Sequence, residues 1–274
     1  MNDATLQSEQ GPLLWLALCF AGSAALLVGI NGWWGGFHSA QAISGLLPHW
    51  LWESLTTLGD ERILLALMLP FCQRYPRVFW AIVMASLIGA LACRGIKFWA
   101  EMPRPAAILG VDEMTLIGAR LTRHSFPSGH TVSAFCFAAV WLGLLGWQRC
   151  WPILVLAVVA GFSRIAVGAH WPVDVLFGAA IAFLAAWAGL SLTNVFRWGL
   201  RSSAHWALVG LAALAVATLP FDGQGYPGSL PFRLAICAWG LAGFHAHYLA
   251  AILRHGWEGA RRPAAMAWAA ATKP

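Results

Sequence analysis

The sequence predicts an all-α fold, a polytopic transmembrane helical bundle, and three observations carry that expectation. Apolar residues make up 59% of the 274 and charged residues 10%, against about 25% charged in an ordinary soluble domain. Mean hydropathy is +0.67. Several runs approach the roughly 20 apolar residues that a spanning helix needs. Such a chain has too little polar surface to cover a water-facing fold, which excludes an ordinary soluble domain.

Five runs contain no Asp, Glu, Lys or Arg: Pro12–Ile30, Thr131–Gln148, Val175–Phe196, Ser202–Pro220 and Leu234–Leu253. Val78–Cys93 continues past Arg94 towards Trp99, and Trp151–Val167 is interrupted only by Arg164. The weakest candidate, Ile63–Gln73, must borrow length from the Leu51–Gly59 side. Together they predict about eight spans. The first run is too long for a cleaved signal peptide and lacks its basic flank, so it reads as a permanent anchor. Asn31–Gly59, rich in Trp, Gly and Leu, has room for a helix lying in the membrane interface.

Cys19, Cys72, Cys93, Cys136 and Cys237 lie in or beside apolar runs and Cys150 at a connection, with no framework spacing, so they read as packing residues. The 17 tryptophans against 3 tyrosines fit interface anchoring. The net charge of +6 is scattered along the connections, so no nucleic-acid partner is expected. Cations in short connections mark the cytoplasmic side. With the N-terminus inside, that side holds Arg74, Arg77, Arg149, Arg197 and Arg201, and the tail adds Arg254, Arg261, Arg262 and Lys273. The other side holds Lys97, Arg104, Arg120, Arg123 and Arg164, and its Asn31–Glu53 connection has no Lys or Arg.

Three stretches carry chemistry: KFWAEMPRP (Lys97–Pro105), SFPSGH (Ser125–His130) and SRIAVGAHWPVD (Ser163–Asp174). Ser128 follows Pro127 and precedes an apolar run, so it is a natural N-cap. The first N–H groups of a helix lack internal partners and attract anions, and Gly129 offers no Cβ to obstruct an oxyanion. Lys97, Arg104 and Arg164 all reach the same outer layer. A cation at the centre of a membrane helix costs roughly 2.5–3.5 kcal/mol, and mutual repulsion among the three makes sense if an anion sits between them. Snorkelling to the interface is the plainer reading of each cation alone. His170 and Asp174 flank Trp171-Pro172, and proline suits the first turn of a helix. The Asp174 carboxylate can then fix the His170 tautomer and leave the other ring nitrogen free to attack; a structural His–Asp pair is the plainer alternative.

In this order and form, the three stretches resemble the signature motifs of the type-2 phosphatidic-acid phosphatase and vanadium haloperoxidase superfamily. The resemblance covers roughly residues 12–196. It implies a six-helix phosphatase core in residues 1–201, with 202–274 adding about two spans and a cytoplasmic tail to the same bundle. It further implies that His170 is the nucleophile forming a phosphohistidine, oriented by Asp174. His130 would be the general acid for the leaving oxygen and then the base for water. Lys97, Arg104, Ser128, Gly129 and Arg164 would hold the phosphoryl oxygens, with no metal or cofactor. His170 must then be neutral while His130 starts protonated, a state that a bound phosphate dianion favours.

The function expected is a lipid phosphatase of the inner membrane, its site facing the periplasm or outside. Its substrate would be undecaprenyl pyrophosphate, phosphatidic acid, phosphatidylglycerol phosphate or lipid A. A phosphotransferase from undecaprenyl pyrophosphate to lipid A would use the same residues, and a lipid transporter or scramblase would use only the cations. His124 reads as a solvent-facing loop residue, Arg120 and Arg123 as loop charges or a second anion site, and His205 as interfacial. The HAH pair of His245 and His247 has the wrong spacing for one helical face. The Ser202–Leu253 pair has room to pack against the bundle, form a dimer contact or shape the lipid entrance, with bilayer-facing packing as the default. The sequence fixes no oligomeric state.

Overall fold

The computed structural model describes residues 3–110, 112–254 and 256. The tail cations Arg261, Arg262 and Lys273 lie outside the described residues. Among the described residues the regular structure is helical. In chain order the helices are α1 (Asp3–Asn31), α2 (Phe37–Ser44), α3 (His49–Thr57), α4 (Glu61–Met68), α5 (Pro76–Ala100) and the single turn α6 (Pro105–Ile108). They continue as α7 (Gly129–Leu145), α8 (Trp147–Ala166), α9 (Pro172–Val195), α10 (Ser202–Ala217) and α11 (Leu230–Phe244), which runs on through a π turn at His245–Leu249.

Five segments among the described residues are long and apolar enough to cross a membrane: Gln10–Asn31, Pro76–Ile108, Trp147–Ala166, Pro172–Val195 and Pro227–Arg254. Gly129–Leu145 and Ser202–Ala217 are apolar but shorter. The protein is therefore an all-α, multi-pass membrane bundle, as composition predicts. The span expected over Ile63–Gln73 takes a different form. The chain breaks at Leu58–Asp60 into α3 and α4, for two reasons. Gly59 lies so close to α7 that a Cβ there would meet His130 Cβ at 2.5 Å. Asp60 then caps a new helix, its Oδ1 accepting from the Arg62 N–H at 2.8 Å.

The expected interfacial helix likewise becomes two short helices, α2 and α3, tied to the bundle by polar contacts. Gln41 of α2 donates through Nε2 to the Ile165 carbonyl at 2.8 Å and accepts through Oε1 from Thr115 N–H at 2.7 Å. Cys150 sits not in a connection but buried in the first turn of α8. The connection is Gly146 alone, with a φ of 82° that favours glycine.

Helix α7 is buried along most of its length, with α1, α5, α8 and α9 packed around or across it. Lipid tails are as apolar as leucine, so such helices associate through close contact rather than through the hydrophobic effect. Small residues supply that contact: a Cβ on Gly189 would lie 2.8 Å from Ala85 N, so α9 and α5 touch backbone to backbone there. The C-terminal pair packs on α4, with Gly240 against Ala66 and Gly243 against Pro70.

The ends of α1, α5 and α8 meet the starts of α7 and α9 at one end of this bundle. That end also collects α2, α3, the 101–128 connection and the 218–229 connection. Arg74, Arg77, Arg149, Arg197 and Arg201 lie at the other end, at the far termini of the same helices.

Candidate active site

Proline and glycine shape the turn that carries the central pair. Helix α8 ends at Ala166, and its last turns fold back so that Arg164 O accepts from both Ala169 N–H at 3.0 Å and His170 N–H at 3.1 Å. Gly168 makes the reversal at φ 75°, where a Cβ would also collide with Met114. Pro172 then opens α9, with Trp171 as its N-cap and Asp174 in its first turn, as the sequence predicts.

Asp174 is fully buried, and one of its oxygens gathers three partners. Oδ2 accepts from Ser125 Oγ at 2.5 Å, from Trp171 N–H at 2.9 Å and from His170 Nδ1 at 3.1 Å. Its backbone carbonyl accepts from Ser128 N–H at 3.0 Å. The helix starts of α7 and α9 are thereby locked to each other through one residue.

On the other side of the imidazole, His170 Nε2 lies 3.3 Å from Arg104 Nη1, which also donates to the Ala169 carbonyl at 3.0 Å. A guanidinium has donors only. Nε2 must therefore be the bare nitrogen, and the ring proton sits on Nδ1, towards Asp174. Burial, reinforced by the positive charges of Arg104, Arg164 and Lys97, holds His170 well below the ordinary histidine range. His170, 2% exposed, is thus neutral at physiological pH with its free lone pair on Nε2.

The cations are positioned by carbonyls. Lys97, three residues before the end of α5, donates through Nζ to His124 O at 2.6 Å and Ser125 O at 3.1 Å. Arg104 donates through Nε to Arg123 O at 2.9 Å. Arg164, 3% exposed, donates through Nη1 to Thr56 Oγ1 and, at 3.0 Å, to the Tyr226 hydroxyl. Arg164 Nε is buried with no protein partner among the described residues. A donor so placed suits an anionic ligand better than an empty site, since an unpaired buried donor costs about 1–3 kcal/mol.

Ser128 is the N-cap of α7, its Oγ accepting from Thr131 N–H at 3.4 Å and Thr131 Oγ1 at 2.9 Å. The N–H groups of Gly129 and His130 begin the helix and have no intrahelical carbonyl to serve. A Cβ at Gly129 would meet nothing nearer than Cys93 Sγ at 3.8 Å. The space over that backbone is open on the protein side, as anion binding at a helix start requires.

The three sequence stretches therefore converge. Lys97, Arg104, Arg164 and His130 all act electrostatically on His170, and Ser128 and Asp174 are hydrogen-bonded. His124 is an exposed loop residue, as expected, and contributes its backbone carbonyl to hold Lys97. Two other sequence readings change. Arg120 braces the 101–128 connection through the Ala106 carbonyl at 3.0 Å. His205 is not interfacial but buried, with Nε2 2.8 Å from the Tyr248 hydroxyl.

Four residues at the site were not found from the motifs: Thr56, Asp60, Gln224 and Tyr226. His130 Nε2 is 3.0 Å from Gln224 Oε1, and Gln224 Nε2 donates to Asp60 Oδ2 at 3.0 Å. Tyr226 also turns its ring to Arg164, 5.9 Å from the guanidinium carbon to the ring centroid. The default assignment of Ser202–Leu253 to bilayer-facing packing is thereby extended, because its 218–229 connection reaches the end of the bundle that carries the motifs. A signal was present: DGQGYPG, polar and glycine-rich, lies between two apolar runs on the side where the topology puts the motifs.

This combination defines a multi-pass membrane protein with a cation-lined pocket around a His–Asp pair. Residues 77–198 match the family model described as PAP2 superfamily. The match contains Lys97, Arg104, Ser128, Gly129, His130, Arg164, His170 and Asp174, and stops short of Gln224 and Tyr226.

Among curated proteins the chain is similar to the undecaprenyl-diphosphatase BcrC of Bacillus subtilis (strain 168). They are 36% identical over 75 residues, which is 27% of this chain and 37% of that protein. A lipid A 1-phosphatase of Rhizobium johnstonii is 31% identical over 124 residues, 45% of this chain and 48% of that one. The chain thus spans less than half the length of these two relatives. The crystal structure of Aquifex aeolicus LpxE shares the fold, with a TM-score of 0.51 at 24% identity, covering 56% of this chain and 92% of that one.

Proposed function

We propose that the chain is an integral-membrane lipid phosphatase working through a phosphohistidine. The observation that carries this reading is the arrangement at His170. Its bare Nε2 stands among Arg104, Arg164 and Lys97, while Asp174 holds the opposite nitrogen. A neutral nucleophile inside a positive cup is what attack on a phosphoryl group needs. Arg104, Arg164, Lys97 and the N-terminal amides of α7 would bind its oxygens, stabilising the charge spread over them in the transition state.

The steps follow from the groups present. His170 Nε2 attacks phosphorus as the bond to the leaving oxygen breaks, and His130, protonated when the phosphate dianion is bound beside it, gives that oxygen a proton. Water then attacks the phosphohistidine, loses a proton to His130, and releases phosphate and free His170. Cations and backbone dipoles carry the electrostatic work, so no metal is required. The relatives named as undecaprenyl-diphosphatase and lipid A 1-phosphatase narrow the substrate to a polyprenyl diphosphate or a phosphorylated glycolipid.

A membrane lipid suits the surroundings. A cavity of about 440 Å³ opens between α4, α5 and α7, lined by apolar residues including Leu64, Val83, Leu87 and Leu91. Its charged members, Glu61 and Arg94, lie next to Asp60 and one turn from Lys97, respectively. The cation bias of the connections supports placement in the inner membrane with the site on the periplasmic or outer face.

The test is phosphate release by the purified protein from a panel of lipid mono- and diphosphates, with chelator present and His170→Ala as control. Release from at least one lipid, lost in His170→Ala and indifferent to chelator, is expected. Full activity in His170→Ala would end this reading, as would loss of activity on chelation. Labelled phosphate appearing in a lipid acceptor rather than in solution would identify a phosphotransferase. Lipid translocation retained in His170→Ala would identify a transporter.

A further inference from the structure

We infer that Gln224 is a positioning residue for His130. It holds the imidazole with a hydrogen on Nε2, so that Nδ1 is the nitrogen exchanging a proton with the leaving oxygen and then with water. The reaction part of this inference rests on the lipid-phosphatase reading; the geometric part stands on side-chain chemistry alone.

The argument begins at Asp60. Its carboxylate accepts from Arg62 N–H at 2.8 Å and forms an ion pair with Arg62 Nη2 at 2.7 Å. An ionised carboxylate has no donor, so the group facing it across 3.0 Å must be the NH₂ of Gln224. The amide orientation is fixed by that partner, which leaves the carbonyl Oε1 towards His130 at 3.0 Å. A carbonyl oxygen only accepts, so His130 Nε2 carries hydrogen whether the ring is neutral or charged. In the neutral ring the lone pair is then on Nδ1.

Proton traffic balances on that atom. As the new P–N bond to His170 forms and the P–O bond breaks, the imidazolium Nδ1–H passes to the leaving oxygen. In the second step Nδ1 takes a proton from water as the new P–O bond forms and the P–N bond breaks. The hydrogen on Nε2 stays with Gln224 throughout.

The 218–229 connection is built to present this residue. Gln224 adopts a φ of 52°, uncommon for a residue with a side chain, and its N–H donates to Asp222 Oδ1 at 3.0 Å. Arg62 Nη2 donates to the Asp222 carbonyl at 3.2 Å. From behind, buried Arg233 donates to the Leu219 carbonyl and to Ser229 Oγ. One arginine on each side thus fastens the loop.

The experiment has two arms. Histidine ¹⁵N spectra of the detergent-solubilised full chain, with His130 assigned by subtraction of His130→Ala, read the tautomer without reference to activity. Protonated Nε2 with bare Nδ1 is expected in the neutral wild-type ring, and a tautomer mixture in Gln224→Ala. In the kinetic arm, Gln224→Ala should lower kcat on a lipid monophosphate about tenfold with KM within about twofold, part of what a positioned acid contributes. In a His130→Ala background the same substitution should add less than about twofold. Gln224→Glu should move the alkaline limb of the kcat profile upward, because a carboxylate beside His130 favours the imidazolium.

Protonated Nδ1 in the neutral wild-type ring would overturn the inference. So would an unchanged kcat in Gln224→Ala, or an undiminished loss in the His130→Ala background. A fall in KM with kcat unchanged would also overturn it, showing that Gln224 occupies the place of substrate. If the wild type hydrolyses none of the lipid phosphates, the phosphatase reading fails, and the nitrogen spectra still decide the role of Gln224.

Discussion

Arg104 Nη1 lies 3.3 Å from His170 Nε2, and the chemistry of that contact fixes which ring nitrogen carries the lone pair. A guanidinium cannot accept a hydrogen bond, so the arginine certifies a bare Nε2 while Asp174 accepts the hydrogen bond from Nδ1–H. The same arginine that would grip a phosphoryl oxygen therefore also keeps its attacker unprotonated. Removing it should damage both binding and the state of the nucleophile. Arg104→Ala and Arg164→Ala are each expected to cripple turnover, since one arginine clamp contributes 10³–10⁵ in some phosphoryl transferases. Near-normal rates in both purified variants would contradict the assignment.

The pH dependence follows from His170. Burial and the surrounding cations depress its proton affinity in the folded protein, so the attacking form persists as pH falls through 6.5, the ordinary histidine value. The His170 acid limb of kcat/KM should lie well below pH 6.5, and Arg104→Gln should move it upward. A wild-type profile already halved near pH 6.5 through His170 would disprove this. For stability the unfolded state binds the extra proton, so His170 lowers the stability of the fold as pH drops below about 6.5.

Asp174→Asn should keep the fold and lose the tautomer control. Its amide can still occupy the space, but the ring of His170 is no longer held with its proton on Nδ1. A loss of kcat on the order of 10³–10⁴ is expected, by analogy with the aspartate of a Ser-His-Asp triad. Circular dichroism and elution volume check the fold. A variant within about tenfold of wild type would show that the pair is structural.

His130 as acid predicts a split between substrates. A lipid alkoxide is a poor leaving group and needs the proton; a lipid phosphate leaving from a diphosphate needs it far less. His130→Ala should therefore lose about 10²–10⁴ in kcat on a lipid monophosphate and markedly less on a lipid diphosphate. Hydrolysis of the phosphoenzyme should also slow, so that an acid-labile, base-stable label accumulates on His170. Equal losses on both substrates with no label would remove His130 from proton transfer.

Gly59→Ala tests the break between α3 and α4. The added Cβ would meet His130 Cβ at 2.5 Å, and the obstacle is the base of a helix rather than a flexible tip. Overpacking of this kind costs about 1–3 kcal/mol. A lower Tm together with a lower kcat is expected, and an unchanged Tm and kcat would show that the contact relaxes freely.

The sequence by itself determined the membrane bundle, because a chain with so few charges and such long apolar runs has no other way to satisfy its backbone in lipid. It also determined the motif inventory and the helix starts at Ser128 and Pro172. Capping residues and proline act locally, and their effect can be read without knowing the neighbours. The break at Gly59 was not legible, since it depends on how near α3 comes to His130. Nor were Thr56, Gln224 and Tyr226, which lie more than 30 residues from the motif residues they touch, or Asp60, which reaches the site only through Gln224. Only tertiary structure decides which connections of a bundle meet, because a hydrogen bond between distant segments leaves no periodic trace in either one.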